Sequence, residues 1–172
     1  MNYVYNKSLA NCTPSKIREF NSLAAKLNAK YKLTLGEPDF NTPIEIKDAL
    51  IEAVNQNHTR YAPTVGNKNL REEICKFEKR VNKVSYEPDE VLITTGSTEA
   101  LTAALFTLLN QDDEVIVPIP CYALYEPVIS YCGAKMIPLD TRPDFQISKE
   151  HLEALINNKT KAILLTSPNN PT

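Results

Sequence analysis

The sequence predicts an α/β protein built on a parallel sheet with flanking helices. Three observations carry that prediction. From about residue 90 onward, short apolar or β-branched runs alternate with helical stretches. That repeat gives parallel strands joined by right-handed crossovers. The loops after these runs are rich in Gly, Pro, Ser and Asn, and in parallel sheets ligands bind beyond the carboxyl ends of strands. Before residue 90 the apolar residues recur instead at helical spacing.

Taken in order, residues 1–13 show no periodicity and read as an extended arm. Thr13-Pro14 suits an N-cap followed by proline at the first helical position. Ile17, Phe20, Ala24 and Leu27 then share one face, so a helix is expected over roughly 14–29. Tyr31–Leu35 is strand-like and ends in the rigid turn Gly36-Glu37-Pro38-Asp39-Phe40. Thr42-Pro43-Ile44-Glu45 has the form of a capping box, opening a helix to about Asn55 with Ile46, Ala49, Leu50 and Ala53 on one face. Gln56–Gly66 is polar and irregular. Asn67 is expected to cap a third helix carrying Leu70, Ile74, Phe77 and Val81.

After Glu87-Pro88 come a strand Val91–Thr95, a helix from about Thr98 to Leu109 and a turn at Asp112-Asp113. A strand Glu114–Val117 leads to Pro118-Ile119-Pro120-Cys121 and a helix over about Tyr122–Tyr131, with Gly133 placed to end it. A strand Lys135–Leu139, a loop with Pro143, a helix capped by Ser148 and a strand Ala162–Thr166 follow. The chain then reads Ser167-Pro168-Asn169-Asn170-Pro171-Thr172.

Composition excludes several classes of function. With 172 residues, 42% hydrophobic and 23% charged, the chain is an ordinary globular sequence. Its net charge of −2 and lack of a basic stripe argue against nucleic acid or an anionic membrane as main partner. No apolar run approaches the roughly 20 residues that span a bilayer, and the start lacks the pattern of a signal peptide. Four cysteines without a CxxC pair, and two distant histidines, give no zinc pattern. Reduced thiols in a cytoplasmic protein are expected.

Chemistry concentrates in the loops after strands. In Val91–Leu101 an apolar run breaks at Gly96 and resumes as Ser97-Thr98-Glu99 at a helix start. Such a start presents amides without intrahelical acceptors at the positive end of the helix dipole. Two readings fit: an anion site with two added hydroxyls, or an ordinary Ser/Thr N-cap. Tyr122 is either a core tyrosine or an aromatic facing a ligand. Asn169-Asn170-Pro171 is either an Asx-type turn or a hydrogen-bond donor to a ligand. The loops at Gly96, Pro120 and Ser167 are expected to face one crevice. Cys121 lies near it, with no evident partner to activate its thiol.

Five motifs in this order resemble the N-terminal half of a fold type I pyridoxal-phosphate enzyme, and most closely the class I/II aminotransferases similar to aspartate aminotransferase. They are LGEPDFNTP at 35–43, YAPTVGNKNLR at 61–71, TTGSTEAL at 94–101, PIPCYALYEP at 118–127 and SPNNPT at 167–172. The resemblance implies that Ser97 and Thr98 hold the phosphate of pyridoxal 5′-phosphate, that Tyr122 stacks on its ring, and that Asn170 hydrogen-bonds the ring's phenolic oxygen. It implies that Tyr61 reaches the cofactor phosphate of the neighbouring subunit of a homodimer, and that the Gly36 loop closes over the substrate. The domains implied are an arm and small-domain segment over 1–43 and the N-terminal half of the large cofactor-binding domain over 44–172.

The family's glycine after Asn-Pro-Thr, its ring-nitrogen aspartate, its Schiff-base lysine and its carboxylate-binding arginines have no matching positions in this chain. The resemblance therefore implies a fragment, inactive alone, of an enzyme exchanging amino groups between an amino acid and a 2-oxo acid. Apolar surface is expected to be exposed, with self-association or retention of the other half. A carbon–sulfur lyase or aminocyclopropane-carboxylate synthase relative, a non-enzymatic sensor on the same fold and a Rossmann-type nucleotide binder are the rivals. The last lacks a GxGxxG.

Overall fold

A computed structural model describes residues 16–27, 30, 31, 33, 34 and 36–172. The expected arm over 1–13 and the Thr13-Pro14 cap lie outside the described residues. Contacts divide the chain into two units, one over Ile17–Thr94 and one built on Thr95–Thr172.

The first unit is helical. Helix α1 spans Lys16–Lys26, α2 Ile44–Asn55 and α3 Lys68–Val81. Glu19 in the first turn of α1 and Lys26 in its last complement the helix dipole. Helix α2 starts differently from the expected capping box. Its N-cap is Pro43, one residue past Thr42, and no side chain caps it. Proline has no side-chain acceptor, so the Pro43 carbonyl alone opens the helix, accepting from the amides of Ile46 and Lys47 at 3.2 and 3.3 Å. The helix closes as expected near Asn55. Asn57 takes a left-handed φ of 59°, while the amides of His58 and Asn57 donate to Ala53 O and Val54 O at 2.9 and 3.0 Å. This is a Schellman ending with Asn in the glycine position.

Asn67 caps α3 as expected, its Oδ1 accepting from the amides of Asn69 and Leu70 at 2.9 and 3.3 Å. Just before it, Gly66 has φ 95°, and a Cβ there would run into the Ile93 side chain. A 3₁₀ turn follows at Pro88–Glu90. Arg71 of α3 is buried against it, donating from Nη1 to Pro88 O at 2.5 Å and to Asp89 Oδ1 at 3.3 Å.

Among the described residues, two expected strands are absent. Tyr31, Leu33 and Thr34 stand outside any strand, while Lys32 and Leu35 are not among the described residues. Thr34 Oγ1 instead donates to Asn21 Oδ1 at 2.5 Å. Val91–Thr94 is extended but belongs to no sheet. The Ile93 amide donates to Val65 O at 3.2 Å, and a strand is only realised when a neighbour supplies a ladder. The apolar, β-branched composition is there, but the described residues supply no strand to pair with it.

The second unit holds α4 (Gly96–Leu108), β1 (Glu114–Ile119), α5 (Tyr125–Tyr131), β2 (Lys135–Asp140), α6 (Lys149–Leu155) and β3 (Thr160–Ile163). The strands form a parallel sheet in the order β2-β1-β3. The central strand reads Val115-Ile116-Val117 without alternation because both its faces are covered, and all three residues are essentially inaccessible. Leu105, Leu109, Val115, Val117, Tyr125, Val128 and Ile129 form one apolar cluster. Gly133 ends α5 at φ 78°, where a Cβ would strike the Gln111 side chain. Ser148 caps α6, accepting from the His151 amide at 3.0 Å.

Two boundaries moved for reasons involving proline. Helix α5 begins at Tyr125, three residues later than expected. With that start Pro127 sits in the first turn, where its missing N–H costs nothing. In a helix begun at Tyr122 its ring would crowd the carbonyl four residues back. Strand β3 stops at Ile163 instead of Thr166, its pairing with β1 ending at Ile116–Ile163. One more link runs from the Leu164 amide to Ile116 O at 2.9 Å. Beyond it β1 reaches Pro118, which has no N–H to donate.

Candidate functional site

The site is built at the carboxyl ends of β1 and β3. Past β1 the chain runs Pro120-Cys121-Tyr122 before turning into α5, and past β3 it runs Leu164–Thr172. Two side-chain hydrogen bonds join these segments. Tyr125 OH and Thr166 Oγ1 are 2.8 Å apart, and Asn169 Nδ2 donates to Pro120 O at 2.9 Å. Of the three loops expected to face one crevice, those at Pro120 and Ser167 are thus in contact.

The tyrosine ambiguity resolves onto two different residues. Tyr125 is the core tyrosine, buried in the apolar cluster. Tyr122 is 41% exposed and lies before the helix. Its ring meets that of Tyr125 edge to face, 5.7 Å between centroids at 81°, which leaves flat aromatic surface available for stacking.

At α4 the plain N-cap reading of Ser97 and Thr98 fails. The helix begins at Gly96 with Thr95 as N-cap, and no side chain caps it. Ser97 and Thr98 are therefore the second and third helical residues, where backbone N–H groups have no intrahelical acceptor. Both are exposed. The Thr95 amide donates to the Glu99 carboxylate, so Glu99 reaches back over the first turn. Gly96 has φ 81°, and a Cβ there would meet nothing within 4 Å. Glycine is needed at this turn for its backbone conformation, not for room.

Asn170 is exposed, whereas Asn169 is half-buried. Sequence reasoning singled out Asn170 and passed over Asn169, although the doubled asparagine was the available signal. Besides Pro120 O, Asn169 Nδ2 donates to Thr172 Oγ1 at 2.7 Å. Burial, and secondarily the charge of Glu126, pushes the Cys121 thiol above its usual range, the opposite of what an activated nucleophile requires. Tyr61 and Gly36 belong to the other unit, both on its exposed surface. Among the described residues no group of three or more His, Cys, Asp or Glu side chains could hold a metal ion. The donor set is helix-terminal amides with two hydroxyls, an open aromatic face and a side-chain amide. It fits a phosphorylated planar heterocycle such as pyridoxal phosphate.

The sequence profile of the family Aminotransferase class I and II matches residues 28–172. The chain belongs to that family. Among curated aminotransferases it is similar to the aspartate aminotransferase of Geobacillus stearothermophilus, 38% identical over 172 residues, covering 96% of this chain and 44% of that protein. It is 37% identical over 174 residues to the Bacillus subtilis protein named "Probable N-acetyl-LL-diaminopimelate aminotransferase", again covering 44% of it. Among solved aminotransferases, it matches the Thermus thermophilus aspartate aminotransferase with maleate at a TM-score of 0.92 and 33% identity, covering 99% of this chain and 46% of that one. The chain spans less than half the length of these relatives. Among the described residues, no helix is long and apolar enough to cross a membrane.

Proposed function

We propose that this chain is the N-terminal half of a pyridoxal-phosphate-dependent aminotransferase that moves an amino group between an amino acid and a 2-oxo acid. One observation carries the reading. A single unit of a class I/II family member presents a hydroxyl-rich helix start, an open tyrosine ring and an asparagine loop fixed to the end of the central strand. When bound, pyridoxal phosphate supplies an electron sink for proton and amino-group movement at the substrate's α-carbon.

The chain's own residues then bind and orient. Ser97 and Thr98 donate to the phosphate from backbone and hydroxyl at the positive end of α4. Tyr122 holds the ring plane by stacking. Asn170 donates to the ring oxygen. Tyr61, wholly exposed, reaches the phosphate of a neighbouring subunit in a homodimer, and Gly36 lets its loop close over the substrate. Residues 1–43 serve as arm and small-domain segment, and 44–172 as half of the large domain. The unpaired cysteines Cys75, Cys121 and Cys132 suit a reducing cytoplasm. No lysine of this chain takes the covalent role, so the 172 residues alone do not transaminate.

Replacing Ser97 and Thr98 by alanine in the full-length polypeptide tests the reading. Each lost bond to a charged phosphate costs about 1.5–3 kcal/mol, so the cofactor should be lost on dialysis. Unchanged retention would overturn the assignment. Borohydride treatment of the 172-residue chain with cofactor should label no single lysine stoichiometrically, and such labelling would refute its inactivity.

A further inference from the structure

Past Ile116 and Ile163 the backbone no longer fixes the distance between the segments following β1 and β3. The ladder ends there, the last backbone link is Leu164 N to Ile116 O, and Pro118 and Pro120 carry no N–H. We propose that the pairs Tyr125–Thr166 and Asn169–Pro120 take over that task, and that Tyr125 and Asn169 are positioning residues setting the spacing between Tyr122 and Asn170. This rests on the cofactor reading above.

The placement of the anchors is the argument. Tyr122 lies between Pro120 and Tyr125, one end of each tie. Asn170 adjoins Asn169 and follows Thr166, the other ends. Tyr122 is thus bracketed by the two ties, while Asn170 directly follows both. The Tyr125 hydroxyl sits on a buried side chain, and a buried hydroxyl needs a partner, so Thr166 is held where that ring puts it. At Asn169 the chemistry settles which amide atom faces the strand end. A proline carbonyl only accepts, so the facing atom is the nitrogen. Its second hydrogen goes to Thr172 Oγ1, closing the Asn169–Thr172 turn around Asn170. A shift of either tie moves the stacking ring and the ring-oxygen donor relative to each other.

The test uses the full-length polypeptide purified with pyridoxal phosphate. Tyr125→Phe removes one hydroxyl without changing shape. Asn169→Asp removes the donor and sets a carboxylate against Pro120 O. Ser148→Ala, which uncaps α6 away from these loops, calibrates a purely structural loss. Each tie variant should weaken cofactor retention about three- to tenfold, the weight of one net hydrogen bond. Each should also move the pH midpoint at which the cofactor's visible band changes, because Asn170 no longer meets the ring oxygen at the same distance. Ser148→Ala should lower Tm and leave band and midpoint alone. Tie variants that lower Tm but keep the wild-type band and midpoint overturn the positioning role. A wild-type polypeptide with no cofactor band overturns the aminotransferase reading itself, and the positioning role with it. If Asn169→Asp does not fold, Tyr125→Phe and Thr166→Val decide the matter.

Discussion

The two units use the same raw material to opposite effect. Both contain amphipathic helices, yet every buried hydrophobic among the described residues lies between Leu105 and Leu139. In Ile17–Thr94 the faces predicted to be apolar are present but uncovered: Ile46, Leu50, Phe77 and Val81 are all about half exposed or more. The difference is the sheet. Helices α4 and α5 share an apolar cluster with β1, whereas among the described residues the unit of α1, α2 and α3 has no strand. Periodicity defines which side of a helix is apolar, and only a partner surface turns that side into a core.

The sharpest way to break this contrast is a matched pair of truncations. Ile129→Ala, at a fully inaccessible position, should cost about 2–5 kcal/mol in chemical denaturation. Leu50→Ala, at 66% exposure, should stay within about 0.5 kcal/mol. A large Leu50 effect would mean that the α2 face is covered in solution.

Arg71 is the exception within the helical unit, a buried cation holding a turn. Arg71→Met should cost about 1–3 kcal/mol by stranding the Pro88 carbonyl and speed amide exchange around Glu90 and Val91. Asp89→Asn should be nearly silent, because the Asp89 carboxylate is almost wholly exposed and such pairs contribute little.

Capping should be indifferent to the contrast. Asn67→Ala in the helical unit and Ser148→Ala in the sheet unit should each cost about 1 kcal/mol, measured as a change in denaturation midpoint. Unequal costs would show that tertiary packing, not local hydrogen bonding, decides helix ends here.

The smallest effect is expected at the rim of the sheet unit. Hydrogen bonds from the Arg142 side chain and amide hold the Asp140 carboxyl down at about 2. Its folded value lies below the unfolded one of about 3.9, so the contribution is present above pH 4 and lost as pH falls toward 2. Asp140→Asn should flatten acid unfolding in that window, and added salt should shrink the difference, since the pair is exposed.

Much of this architecture was legible in the sequence because local chemistry wrote it. Asn67, Gly133 and Ser148 each mark a helix end by a side-chain acceptor or a positive φ, and all three act where they were expected. The run Val115-Ile116-Val117 announced a strand, and the structure shows it buried. What stayed hidden depended on distant partners. Val91–Thr95 has the composition of a strand but no neighbour among the described residues. The start of α5 turned on how far Pro127 sits from it. Among the loops, Asn169 reads in the sequence only as part of a turn or a ligand donor, and its tie to Pro120 stayed hidden because that acceptor lies 49 residues away. The core role of Tyr125 could not be told from the exposure of Tyr122 three residues earlier.

That separation in sequence also sets an order of assembly. Helix caps and the turn between α5 and β2 close over a few residues and can form early. The central strand needs partners from both sides, and its second neighbour is synthesised only after α6. The Tyr125–Thr166 and Asn169–Pro120 pairs bridge 41 and 49 residues, spans like those of the β1–β3 ladder, so they carry a similar loop-closure entropy and close just past the end of that ladder. The loops past β1 and β3 are expected to mature last, because the pairs that join them lie beyond a ladder that must form first. An emerging chain would pass through a state with a finished core and an unfinished rim. Pulse-labelled amide exchange during refolding would detect that state as protection at Ile129 before protection beyond Leu164.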